Sequence, residues 1–230
     1  MATHFFKSLG EISVQQIFVR KKAENSHLPL ALLSESKDLR TLDLDIIIIA
    51  VSDDQISNVM TTYHFHSDQI ILHTAGSVDM DVIHQKHEKC GVLYPLMAMS
   101  KEDIIDYQQM PLLIEGSDER ILLLITQLAE RISHRVAYFN SQHRKIIHLA
   151  AVIANNFTTS LLFDVEKILK KHQLDKHLLV PLMEQTIHKV FNLGGEKSMT
   201  GPAVRKDQMT IDLQLGLLNQ HPEMLDLYQF

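Results

Sequence analysis

The stretch Ile46–Asp54, IIIIAVSDD, decides the fold: a continuous β-branched run that ends in small and acidic residues. A run with no polar alternation is what a parallel strand covered on both faces requires, so Ile46–Val51 reads as a central strand. Ser52, Asp53 and Asp54 follow at once, able to cap the helix that carries Ile56, Val59 and Met60. Working outward, the pattern repeats. Val14–Arg20, Gln69–His73, Gly91–Tyr94 and Leu112–Glu115 are further strand candidates, and the strands give way to the turns SDD, HTAGS, YP and EGSD. Such alternation specifies an α/β domain. Asp118–Ser133 reads as an amphipathic helix and Arg135–Phe139 as one last short strand. Beyond Asn140 every periodic segment is helical: Ser141–Lys171, Leu178–Leu193 and Gln208–Leu218. The expected organisation is an α/β domain over residues 1–139 and a helical domain over 140–230.

The bulk properties exclude several classes. With 230 residues and a net charge of −6, nothing favours a general nucleic-acid or anionic-membrane binder. The single cysteine, Cys90, rules out an intrachain disulfide framework and fits a reducing compartment. In the apolar stretch CGVLYPL it reads as a buried thiol rather than a nucleophile. Met1–Arg20 lacks the basic region and apolar block of a secretory signal. The apolar stretch Ile146–Phe163 contains His148, Asn155 and Asn156, which makes it a poor membrane span. A soluble, cytoplasmic protein is expected. The pairs His64/His66 and His84/His87 lack supporting Cys or acidic partners, so no metal site is expected.

The helix Ser141–Lys171 carries a narrow polar stripe. At about 100° per residue Arg144, His148, Ala151, Asn155 and Thr159 share one sector, while Ile146, Ile147, Leu149, Ile153, Phe157 and Leu161 cover much of the rest. A helix apolar nearly all round is expected to be buried, and buried polar groups need partners. The stripe is therefore either a site or a satisfied network that fixes packing or a dimer seam. The loop Thr200–Asp207, TGPAVRKD, sets Arg205 and Asp207 beside the turn residues Gly201 and Pro202. A forked guanidinium there suits a carboxylate or phosphate; the alternative is an Arg–Asp salt bridge between helices. In α/β folds ligands bind outside the carboxyl ends of the strands, where this chain has Arg20, Ser52, Asp53, His73, Thr74, Gly76 and Pro95.

AVSDD (Ala50–Asp54), HTAGS (His73–Ser77), GVLYPL (Gly91–Leu96) and IEG (Ile114–Gly116), followed by HLAAVIANNF (His148–Phe157), PLMEQT (Pro181–Thr186) and TGPAVRKD, resemble an uncharacterised bacterial family. It pairs a Rossmann-like domain with a helical domain similar to the C-terminal domain of 6-phosphogluconate dehydrogenase. Pyrroline-5-carboxylate reductase and ketopantoate reductase belong to the wider superfamily. The resemblance implies a nicotinamide-dependent oxidoreductase that dimerises through its helical half. One departure stands out. Family members open with a strand and a glycine-rich turn ahead of the helix that MATHFFKSL (Met1–Leu9) resembles, and both are absent here. Loss of the first, central strand implies a gap in the sheet. Either Met1 is an internal methionine of a longer chain, the favoured reading because unpaired strand edges are a liability, or the chain is a truncation that has lost cofactor binding.

The resemblance gives each candidate residue a role. Arg20, followed by Lys21 and Lys22 with no acid between Phe18 and Lys22, suits the 2′-phosphate of NADP in preference to NAD. Ser52, Asp53, His73, Thr74 and Gly76 are expected to line the cofactor, the alternative for His73 being a ring satisfied by the turn backbone. His148 is the candidate proton donor, since an imidazole ordinarily titrates near neutrality, and Asn155 the residue that positions the substrate oxygen. Related dehydrogenases use a lysine on this helix, but Lys145 lies off the stripe. Arg144, Thr200, Arg205 and Asp207 are the candidate substrate contacts. The expected function is NADPH-dependent reduction of a small anionic carbonyl or imine compound. The competing class is a non-catalytic dinucleotide or metabolite sensor.

Overall fold

The structure, a computed structural model, describes residues 2–9, 14–19, 29–100 and 103–229. It divides into two compact units, Met1–Asn155 and Asn156–Phe230.

The first unit is an α/β domain. After helix α1 (Ala2–Leu9), strands β1 (Ile17–Phe18) and β2 (Leu33–Ser34) pair in parallel as a small sheet of their own. Strands β3 (Ile46–Ile49), β4 (Ile70–His73), β5 (Cys90–Pro95), β6 (Leu112–Gly116) and β7 (Val136–Tyr138) form a second sheet in that order. Helices α2 (Ile56–Thr62), α3 (Asp81–His84) and α4 (Glu119–Glu130) intervene. All the strand candidates contain strands, shorter than expected at β1, β3, β4 and β7 and longer by a residue at one or both ends at β5 and β6. One expectation needs correction. Ile46–Ile49 is an edge strand rather than a central one, because β4 is its sole ladder partner among the described residues. Three of its four residues are accordingly half-buried, while β4 is buried throughout. Strand β6 runs antiparallel to β5, with Tyr94 opposite Leu113. The intervening segment returns the chain to the end of β5 that it has just left, so no crossover helix is needed.

The pleat sorts the side chains into two layers. Ile70, Leu72, Leu93, Leu112 and Ile114 face one side, where Ile121, Ile125 and Ala129 of α4 cover them together with Phe5 of α1. The i, i+4, i+8 spacing gives α4 one continuous apolar face, and the Asp118 carboxylate caps it by accepting from the Ile121 N–H at 2.8 Å. Gly91 lets α4 approach closely: a Cβ there would overlap the Glu115 carbonyl and Ile125. On the opposite side Ile71, Cys90 and Ile49 pack with Ile56 and Met60 of α2 and Ile83 of α3. Val92, Tyr94 and Leu113 continue that side and meet Ala137, Phe139 and Ile147. Cys90 is buried, as expected, and burial pushes its thiol up to about 12, which makes it a poor nucleophile.

Helix α5 (Ser141–Val152) closes the first unit. A π-helical turn, Ile153–Phe157, within which the second unit begins, links it to α6 (Thr158–Lys171). There follow α7 (Val180–Leu193), α8 (Gly195–Ser198), α9 (Pro202–Arg205), α10 (Gln208–Leu218) and α11 (Leu225–Gln229). Among the described residues of this second unit, only His221 and Met224 are buried.

Candidate functional site

The carboxyl ends of β3, β4 and β5 gather several of the expected residues. Ser52 precedes a short 3-10 turn, Asp53–Gln55, but its hydroxyl does not cap it. Asp53 instead accepts a hydrogen bond from the Ser77 hydroxyl, tying the turn after β3 to the turn after β4. Thr74 is buried and donates to the Ile49 carbonyl at 3.5 Å. His73 takes the second of its two expected roles, a ring satisfied by the turn backbone, and not that of a cofactor contact. It is fully buried, and its Nδ1 accepts from the Ala75 N–H at 3.2 Å. Burial, aided by the Arg144 guanidinium, pushes its imidazole down to about 3. A neutral ring enclosed by the fold shapes the HTAGS turn and offers no surface to a cofactor.

Arg144 also needs correction as an anion clamp. Asn140 caps α5 by accepting from the His143 N–H at 2.9 Å, which sets the first turn against β6. There Glu115 receives the Ser141 N–H at 2.9 Å, the Ser141 hydroxyl at 2.8 Å and an ion pair from Arg144. Arg144 Nη2 further donates to the Val78 carbonyl at 2.6 Å and to the Ser141 hydroxyl at 2.9 Å. With 1% of its surface exposed, Arg144 anchors the helix, and Glu115 already neutralises it. A charged residue at the end of the apolar strand LLIE was the one signal in the sequence for such a partner.

One turn further along α5 lies His148. Its Nδ1 is 2.8 Å from the Tyr94 hydroxyl, and the two rings meet edge-on, with centroids 5.7 Å apart and planes at 74°. Gly76 passes beneath them: a Cβ there would lie 2.5 Å from His148 Nδ1 and 2.7 Å from Tyr94 Cζ. His148 thus sits at the carboxyl ends of β4 and β5, half-buried and held from two sides. Tyr94 was not singled out from the sequence, where YP reads as a turn. It is the last residue but one of β5, on the same face as Val92. Burial, and secondarily the Asp53 carboxylate, push its phenol above the ordinary range, so it keeps its proton.

The stripe does not continue in phase. The π-helical turn Ile153–Phe157 takes i→i+5 spacing, so the phase of 100° per residue is not kept from His148 to Asn155 and Thr159. Both are exposed. The expectation of a buried helix fails too: Ile146 and Leu149 are each 59% exposed and Phe157 64%. In the second unit, TGPAVRKD forms a cap-and-turn. Gly201 takes φ +103° ahead of α9, and Lys206 turns left-handed after it. Asp207 caps α10, accepting from the Thr210 N–H at 3.1 Å and hydroxyl at 2.8 Å. Thr200 and Arg205 are exposed, and no ion pair joins Arg205 to Asp207 among the described residues. Arg20 lies outside the described residues.

The residues present suit one end of a dinucleotide. Ser52 and the linked Asp53 and Ser77 form an exposed polar rim at the strand ends, beside the Tyr94–His148 pair. Among the described residues no three His, Cys, Asp or Glu side chains cluster to hold a metal.

Comparison with known proteins agrees with this architecture. A Bacteroides fragilis protein described provisionally as an NADP oxidoreductase is 27% identical, with a TM-score of 0.81 over 99% of this chain and 89% of that one. A Thermotoga maritima protein is 21% identical, with a TM-score of 0.77 over 100% of this chain and 94% of that one. An imine reductase of Myxococcus stipitatus, solved with NADP+, shares the fold at 12% identity, with a TM-score of 0.71 over 100% of this chain and 90% of that one. No curated protein sequence matches. Ser141–Lys171 is long and apolar enough to cross a membrane by length and composition, but in the fold shared with the B. fragilis protein it is a helix of an oxidoreductase-like domain. The fold is that of NAD(P)-binding oxidoreductases with a helical C-terminal region. Through residues 110–230, more than half its length, the chain belongs to the family DUF2520, a domain of unknown function.

Proposed function

We propose that this protein is a cytoplasmic NADP-dependent reductase of a small anionic carbonyl or imine compound, with His148 as the proton donor. The observation that carries the reading is the placement of His148 at the carboxyl ends of β4 and β5, where α/β folds bind their ligands. When bound, the reduced nicotinamide supplies a hydride to the substrate carbon. His148 gives a proton to the oxygen or nitrogen that gains charge. Ser52, Asp53, Thr74 and Gly76 shape the cofactor side, and Asn155 contributes to the substrate side. With Arg144 committed to Glu115, Arg205, Thr200 and Asp207 of the helical unit are the proposed substrate contacts. The basic run Arg20–Lys22 supports NADP over NAD. A homodimer through the helical unit is part of the proposal, supported by how little that unit buries and by Phe191 and Met209, 85% and 82% exposed.

NADPH oxidation against a panel of 2-oxo acids and cyclic imines tests the function. His148→Ala should lower kcat by about 10²-fold while leaving the melting temperature within a few degrees. Unchanged turnover would remove His148 from the chemistry. One observation favours a second reading, a dinucleotide or metabolite sensor: no lysine lies on the stripe. Saturable NADPH binding without turnover on any compound of the panel would select it.

A further inference from the structure

The Tyr94–His148 contact joins β5 to α5 across 54 residues of sequence, and its chemistry is asymmetric. Among the described residues the phenol oxygen has one hydrogen-bond partner, His148 Nδ1 at 2.8 Å, and Nε2 of the same ring has none. A phenol that keeps its hydrogen and has one acceptor within reach donates to it. We propose that Tyr94 is a positioning residue for His148: its hydroxyl donates to Nδ1, so the resting ring carries its proton on Nε2, the nitrogen that exchanges protons with the substrate. This deepens the reductase reading and rests on it for the identity of the proton acceptor.

Three features make the arrangement rigid. Tyr94 is buried and its strand register is set by pairing with Leu113. The edge-on ring contact restricts rotation of both side chains. Gly76 leaves no room beneath the imidazole for any larger residue. The phenol also serves the charged ring. When the ring takes up a second proton, at Nδ1, the new Nδ1–H donates back to the phenol oxygen and the hydroxyl hydrogen turns away. Transfer from Nε2 to the substrate oxygen or nitrogen then leaves a neutral imidazole with its proton on Nδ1. Solvent returns a proton to Nε2, and loss of the Nδ1 proton restores the resting state, so no tyrosinate forms at any step.

The test reads the ring directly. In protein labelled with 15N at histidine, the His148 signals are those lost in His148→Gln. In the wild type, Nδ1 should show the shift of an unprotonated, hydrogen-bonded nitrogen and Nε2 that of a protonated one. In Tyr94→Phe, which keeps the ring, Nδ1 should move toward the shift of a free acceptor. Turnover should then fall by about 10- to 100-fold in kcat with KM unchanged. A wild-type ring protonated on Nδ1 at rest overturns the proposal without recourse to any variant. So does a Tyr94→Phe protein with the wild-type Nδ1 shift and kcat. If the wild type turns over no substrate, the reductase reading fails, while the Nδ1 shift still decides the role of Tyr94.

Discussion

Gly76→Ala is the smallest change that strikes the candidate site. The new Cβ would stand 2.5 Å from His148 Nδ1, 2.7 Å from His148 Cγ and 2.7 Å from Tyr94 Cζ. Ordinary contact lies at about 3.5 Å, so the imidazole must retreat by about 1 Å. The 2.8 Å hydrogen bond to Tyr94 cannot survive such a shift unless the phenol moves with it, and the phenol belongs to a buried strand. Overpacking of this kind costs about 1–3 kcal/mol, or a drop of several degrees in melting temperature for a unit of this size. A displacement of about 1 Å at a reacting group costs up to about 10²-fold in rate. Thermal denaturation followed by circular dichroism and steady-state NADPH oxidation measure the two effects. Both should fall, and Gly76→Ala with Tyr94→Phe should lose little more turnover than either alone, because one contact is removed twice. A Gly76→Ala protein with the melting temperature and His148 15N shifts of the wild type would refute the packing argument.

Other consequences follow from the same unit. Arg144→Met strands the Glu115 carboxylate inside the protein and should destabilise by about 3–5 kcal/mol in chemical denaturation, while Arg144→Met with Glu115→Gln should recover part of that loss. Equal stability of the single and double variants would show that the pair is not coupled. His73 makes stability depend on acid. Its folded value of about 3 lies below the ordinary 6.5, so the unfolded chain takes up the proton first as pH falls. Its contribution is full above about pH 6.5 and is lost toward pH 3, at about 1.4 kcal/mol per pH unit. His73→Asn should flatten the denaturation midpoint across that window, and a slope identical to the wild type would exclude His73 as its source. For the helical unit, sedimentation should give a dimer whose melting temperature rises with concentration, and Phe191→Asp should weaken it; a wild-type monomer at all concentrations would refute the dimer.

The strand runs at Ile46, Ile70, Gly91 and Leu112 and the starts of α4 and α10 were legible because their signals are local. Continuous apolar runs bounded by turn residues specify buried strands, and Asp118 and Asp207 cap the helices that they precede. The change from alternating strands and helices to helices alone was legible for the same reason, whereas the two units divide at Asn155 and not at the expected residue 139. What tertiary structure decided is every pairing between distant residues. The sequence placed Arg144 and His148 on one helix face, but not that Glu115, 29 residues away, consumes the first while Tyr94, 54 residues away, holds the second. Nor does a periodicity of 100° per residue foresee the π-helical turn that carries Asn155 out of phase, or the reversal of β6 against β5. Local propensity fixes which segments are helix or strand. Which polar groups meet is settled only when the sheet and α5 are packed, since a buried charge or hydroxyl takes whatever partner the packing brings within reach.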